Sequence, residues 1–218
     1  PTRERLLVSN TGLNGEGYTY CRLCGRIESS QAPEVDLFNP HSRPYPGDER
    51  PCPGSPAMHT ILGTDFPTDV TLFSLLLTAP FRLVPGVDET AVALRTICEA
   101  LALAACRMLE LEQGEILAEF RPALTVQGVR GHEAEIFIYD TLPGGAGFST
   151  QLAERGRELF EVALGIMTGC SSGCDVSCYR CLRSFRNKFE HAQIDRFVGA
   201  QLLRHVLYGG IPEFDQER

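Results

Sequence analysis

At 218 residues and 43% hydrophobic content, the chain is long and apolar enough to bury a sizeable core. Its formal net charge of −8, from 20 basic and 28 acidic residues, argues against a general nucleic-acid coat and leaves only a local basic patch as a route to DNA. No apolar run approaches the roughly 20 residues of a membrane-spanning helix, and the opening Pro-Thr-Arg-Glu-Arg lacks signal-peptide character. A cytoplasmic module of a longer protein is therefore expected.

In chain order, short strands are expected over residues 6–9 and 18–20, on either side of the turn from Gly12 to Gly17. The element Cys21-Arg-Leu-Cys24-Gly25 follows at once. Residues 28–56 are rich in Pro, Ser, Asp and Gly with little periodicity, a length that calls for a local staple, and a metal is the simplest one. Strands over 60–66 and 69–77 come next, separated by Pro67. Pro85-Gly86 then punctuates, and a helix starts at Val87 and runs to about Leu109, with Leu94, Ile97, Cys98, Leu101, Ala105 and Met108 at helical spacing. Two further strands are expected over 114–120 and 135–139. The second is continuously apolar through Ile136, Phe137, Ile138 and Tyr139, which suits a central position in a sheet. It ends in Asp140 and a turn containing Gly144, Gly145 and Gly147, which opens a helix over 148–167. A last helix is expected over 191–207, with Ile194, Phe197, Val198, Leu202 and His205 on one stripe. The order predicts a mixed α/β (α+β) domain, a β-sheet with packed helices. Residues 1–60 form an N-terminal zinc-knuckle β region in this reading. Residues 61–218 form the α/β domain, with a four-cysteine zinc turn between helices.

The nine cysteines are an odd number and fall in clusters, which favours metal over disulfides in a reducing compartment. Cys170, Cys174, Cys178 and Cys181 place four soft ligands within a dozen residues. A closed set of four suits tetrahedral, structural Zn²⁺ and leaves no position for a reactive water. Disulfides or buried thiols are the plain alternative. Cys21 and Cys24 form half of a second site. Cys52 with His41 or His59 completes it, and His41 is preferred because it lies in the loop that needs the staple. Two zinc ions per chain are thus expected. Cys98 and Cys106, among Ala and Leu, read as small core residues. Arg180, Arg183, Arg186, Lys188 and Arg196, with Tyr179 and Phe185 interleaved, make the candidate nucleic-acid patch; the plain alternative is a basic rim that partners the thiolates.

The glycine-rich turn after Asp140 could cradle an anion with backbone N–H groups, but the preferred reading is a tight strand-to-helix turn in which the glycines permit close packing. It matches neither a phosphate-binding loop nor a dinucleotide fingerprint. Glu115, Glu119, Glu135 and Asp140 on neighbouring strands admit a metal-dependent nuclease or hydrolase centred on Asp140 and Glu135. No lysine lies near those strands, because Lys188 is the only lysine in the chain.

Three stretches together carry a resemblance. They are Ile138-Tyr139-Asp140 with Gly144, Gly145 and Gly147; the four cysteines with Ser177, Leu182, Arg183 and Ser184; and Asn187 and His191 with Ile194-Asp195-Arg196. This pattern resembles the MrfA-type zinc-binding (MZB) domain, a C-terminal module of superfamily 2 DNA helicases and of DISARM anti-phage proteins. The stretch Cys21, Cys24, Gly25, His41, Cys52, Gly54 and 62–70 is similar to the DrmB-type version with its additional upstream zinc element. The resemblance covers about residues 18–207. It implies a non-catalytic accessory module of a bacterial helicase-type defence or repair protein, with zinc on the four cysteines. Its partners would be DNA, single-stranded DNA included, or a helicase motor. Any ATPase activity would reside outside this chain, which has no Walker A sequence. A pure protein-interaction module is the remaining reading.

Overall fold

The computed structural model describes residues 2–31, 40–76, 82, 88–122 and 133–209; the expected features at Leu77, Pro85, Gly86 and Val87 lie outside them. The chain divides into two compact units, Arg5–Phe66 and Pro1–Glu4 with Pro67–Arg218.

A four-stranded sheet has the order β1-β5-β7-β6, with β1 at Thr2–Asn10, β5 at Leu62–Leu76, β6 at Ile116–Pro122 and β7 at Glu133–Asp140; the larger unit contains β6, β7 and β5 from Pro67 onward. The apolar run in β7 takes an inner position, as expected. It pairs antiparallel with β5 from Val70↔Tyr139 to Leu76↔Glu133 and with β6 from Ile116↔Asp140 to Pro122↔Ala134. One long strand replaces the two expected around Pro67. Proline lacks only a donor, and its carbonyl still accepts from Gly144 N at 2.7 Å. The division between the compact units nevertheless falls at this proline.

Helix α1, Asp88–Leu109, packs against β6, against α3 (Gly156–Thr168) and against α4 (Arg196–Tyr208). Leu94, Ile97, Leu101, Ile116, Ile136, Ile138, Leu152, Leu159 and Met167 are fully buried there. Each such side chain contributes roughly 1.5–3 kcal/mol by leaving water. Cys98 and Cys106 are buried in this core, and burial pushes both thiols up, so they pack as small apolar residues.

The helix expected over 148–167 is two helices, α2 at Phe148–Glu154 and α3, broken at Arg155. The next residue, Gly156, opens α3 beside Phe73, where an added Cβ would lie 2.9 Å from the ring. That ring meets Phe160 edge-on with centroids 5.2 Å apart. The last helix also starts later than expected. A 3₁₀ turn occupies Lys188–Gln193, and α4 begins only where Asp195 caps it, accepting from Phe197 N and Val198 N.

The smaller unit holds a three-stranded sheet in the order β3-β2-β4, comprising Tyr18–Cys21 (β2), Ile27–Ser29 (β3) and Pro56–Thr60 (β4). Strand β2 pairs antiparallel with both neighbours. Strands β3 and β4 were not expected from sequence, being three and five residues long beside the proline-rich loop.

Candidate metal centres and the basic segment

Among the described residues, two sets of at least three His, Cys, Asp or Glu side chains converge closely enough to hold an ion. They are Cys21, Cys24, His41 and Cys52, and Cys170, Cys174, Cys178 and Cys181, each with ligand atoms within 4.8 Å of one another.

In the upstream set, the turn after β2 presents two thiols. Cys21 N donates to Arg26 O and Gly25 N to Cys21 O, closing a knuckle that aims Cys21 and Cys24 to one side. The other two ligands come from the far end of the loop, where His41 and Cys52 exchange both backbone hydrogen bonds in an isolated antiparallel bridge. Gly54 permits the approach, since a Cβ there would lie 2.7 Å from Cys21 Sγ. All four ligands are buried. His59 is not among them. Its exposed ring bonds to Glu16 O at 2.9 Å, on a backbone with φ of 51°.

The downstream set occupies the turn after α3. Its sulfur separations are 3.7 Å (Cys170–Cys178), 3.5 Å (Cys170–Cys174), 3.7 Å (Cys174–Cys181) and 3.8 Å (Cys178–Cys181). A tetrahedron with Zn–S bonds of about 2.3 Å has edges of about 3.8 Å. Disulfide sulfurs would lie about 2.05 Å apart, and all nine cysteines are free. The upstream set agrees, with 3.8 Å between Cys21 and Cys52 and 3.3 Å between Cys24 Sγ and His41 Nε2.

The thiols are electrostatically unequal. The backbone N–H groups of Cys174 and Ser172 lower Cys170 to about 6, and that of Arg180 lowers Cys178. Burial pushes Cys174 up to about 12 and raises Cys181. Upstream, the Cys24 N–H lowers Cys21 to about 6, while burial raises Cys24. Without a cation, neither set can ionise fully; a divalent ion supplies the missing positive charge.

The residues flanking the downstream turn hold it in place. Arg196 donates from Nε and Nη2 to Cys174 O at 2.9 and 2.7 Å and from Nη1 to Met167 O at 3.0 Å. Ser177 Oγ donates to Ile194 O and accepts from Arg183 Nε. Asn187 is buried and donates to Glu99 on α1 and to Leu182 O, while its Oδ1 accepts from Ser184 N. Buried Arg95 adds a second tie, bonding Glu119 at 2.8 Å and lying 3.6 Å from Glu190 in the 3₁₀ turn.

These bonds sort the basic residues. Arg180, Arg186 and Lys188 are exposed, and Arg183 is half-buried. Arg196 corrects the expectation drawn from sequence. It is buried, and its donors are spent on backbone carbonyls, so it anchors the turn and offers no charge to a ligand in solvent.

The carboxylates proposed for hydrolysis are engaged inside the fold. Asp140 is fully buried and accepts from Ala146 N, Phe148 N and Ser149 N at 2.8–3.1 Å. The N–H groups at the end of the glycine-rich turn are taken up by the Asp140 carboxyl itself, so the turn joins strand to helix. Glu135 pairs with Arg121 at 2.7 Å, and Glu119 with Arg95. No carboxylate cluster of metal-binding geometry occurs among the described residues.

Residues 97–182 match the family model of the MrfA Zn-binding domain, MZB, a span that enters within α1 and closes just after Cys181. This segment is similar to the MZB domain. Its cofactor is zinc, and the two ligand sets accommodate two ions. The Druantia protein DruE of Escherichia coli (strain UMEA 4076-1) is 34% identical over 229 residues, an alignment that takes in 96% of this chain. The chain spans 12% of that relative's length. The relative is a Druantia protein, whereas the expectation from sequence is a DISARM protein. Two crystal structures of the DUF1998 helicase MrfA show a distant likeness. The one bound to DNA is 16% identical with a TM-score of 0.47, over 72% of this chain and 19% of the other. The one bound to DNA and AMPPNP is 15% identical with a TM-score of 0.46, over 72% and 18%. Among the described residues no helix is long and apolar enough to cross a membrane.

Proposed function

We propose that this chain is a non-catalytic, zinc-binding accessory module of a cytoplasmic helicase-type anti-phage defence protein. Residues 1–60 serve as the zinc-knuckle β region and 61–218 as the MZB-type domain. Cys21, Cys24, His41 and Cys52 ligate one zinc ion, and Cys170, Cys174, Cys178 and Cys181 the other. Both ions are structural. The module engages DNA through Arg180, Arg186 and Lys188, with Arg183 beside them, and ATP hydrolysis belongs to a motor outside these residues.

The observation that supports this reading best is the closed ligand shell of the downstream set. Four thiols at tetrahedral spacing leave no coordination position for a substrate or an attacking water, so the ion's role is to hold the turn. What that turn carries to the surface is positive charge. Between Asp175 and Glu190 there are four basic residues and no acidic one, within a chain of net charge −8. Local charge of this kind favours a polyanion.

The test is binding of zinc-loaded chain to a fluorescent oligonucleotide across a salt series. For single-stranded DNA held by three phosphate contacts, the log–log slope is expected near −2. Replacing Arg180, Arg186 and Lys188 by Glu removes most of that slope. Binding that is absent, or indifferent to salt, would overturn DNA engagement and leave partner assembly as the module's role.

A further inference from the structure

We propose that Phe185 and Phe189, flanking Lys188, form a stacking platform for unpaired bases of a single-stranded polynucleotide. This deepens the DNA-engagement reading and rests on it.

Large aromatic side chains normally leave water when a protein folds. Here Phe185 is 76% exposed and Phe189 87%, with Tyr179 beside the cluster at 69%. All three lie in one segment that begins at the second zinc turn. The rings are displayed on a fixed backbone. Ser184 N and Asn187 Oδ1 close the loop around Phe185, and Asn187 ties that loop to Glu99 on α1 at 2.8 Å. His191 Nε2 donates toward Ser184 O and Asn187 Oδ1, and its ring braces Tyr179 edge-on, with centroids 5.4 Å apart. Phe189 is part of the 3₁₀ turn that carries Glu190 to Arg95. The exposure therefore belongs to an ordered segment of the fold.

The chemistry around the rings chooses the ligand. Lys188 Nζ sits 4.3 Å from the Phe185 centroid and 4.8 Å from that of Phe189, so one cation lies against both π-faces. Arg180 and Arg186 are exposed in the same segment, and the nearest acidic residues in sequence are Asp175 and Glu190 at its ends. Glu190 borders the cluster but faces Arg95, and an apolar protein partner would gain little from the exposed cations Arg180, Arg186 and Lys188 beside the rings. A single strand supplies both complements, with phosphates for the cations and base faces for the rings. Duplex DNA supplies only the first, because its bases are already stacked on one another.

The test uses the zinc-loaded 218-residue chain, with zinc content confirming that each variant is folded, and a mixed-sequence oligonucleotide as single strand and as duplex. The double variant Phe185→Ala, Phe189→Ala should lose at least about tenfold in single-strand affinity. It should keep the wild-type salt slope and its duplex affinity. Trp at both positions should restore binding, whereas Leu, apolar but without a π-face, should not. The same variants on RNA of matching sequence show which sugar the site prefers, and the expected loss on either strand supports the stacking contact. If the Phe variants bind like wild type while Arg186→Glu, Lys188→Glu weakens binding, stacking is overturned and DNA engagement stands. Leu variants as tight as Phe likewise overturn stacking. Absence of salt-sensitive binding by the wild-type chain overturns both.

Discussion

Residue by residue, the two zinc sets show how differently a ligand and a bystander of the same type are placed. His41 is buried, 3.3 Å from Cys24 Sγ, and held opposite Cys52 by two backbone hydrogen bonds, whereas His59 points to solvent beside Glu16. His41→Ala is therefore expected to reduce zinc from about two ions per chain to about one, and His59→Ala to leave it unchanged, by elemental analysis of purified protein. The thiols also set a direction with pH. Cys21 and Cys170 are lowered to about 6, so their thiolates hold metal above that value and lose it as acid protonates them. Bound zinc holds the thiolates still lower, so release, followed with a zinc-sensitive dye, should have its midpoint below about pH 6. The ligand types and spacing were legible in the sequence because zinc chemistry is local: four sulfurs in a dozen residues have few other uses. Arg196 was not legible in the same way. Nothing in Ile194-Asp195-Arg196 distinguishes an arginine that meets solvent from one that satisfies the carbonyls of Cys174 and Met167.

For the secondary-structure elements, periodicity and continuous apolar runs identified α1 and β7, the two that organise the core. Departures occurred where one contact overrode the pattern. The break between α2 and α3 falls beside Gly156, which packs against the Phe73 ring, a partner more than eighty positions away that no local window contains. The late start of α4 follows from the Asp195 cap, a local signal that the apolar stripe masked. Asp140 links strand to helix most tightly. Its carboxylate ends β7 and collects three N–H groups at the entrance to α2, in full burial. Asp140→Ala leaves those donors unpaired and is expected to destabilise the larger unit by about 3–5 kcal/mol, seen as a lower denaturant midpoint. A catalytic carboxylate would lose activity without that loss of stability, so the same variant separates the two roles.

At the scale of the whole molecule, the two units depend on metal to different degrees. The larger one buries a continuous apolar core of leucines, isoleucines and alanines as well as its cysteines. In the smaller one, the buried apolar cluster consists of Cys21, Cys24 and Cys52, which are the ligands themselves. Chelation should therefore release the backbone of residues 5–31 and 40–66 to hydrogen exchange while α1 and β7 remain protected, as read by mass spectrometry. Equal deprotection of both units would show that the larger core also needs its ion. The sequence did indicate a loop that required a staple. It could not indicate that the staple would be the unit's buried centre, because that depends on which few side chains the short strands enclose.

Lys188 has a consequence of a practical kind. With a single lysine among 218 residues, and that one exposed between Phe185 and Phe189, an amine-reactive fluorophore has one side-chain target in these residues. A reporter installed there would sit against both phenyl rings, and its emission would register directly whatever comes to lie on them.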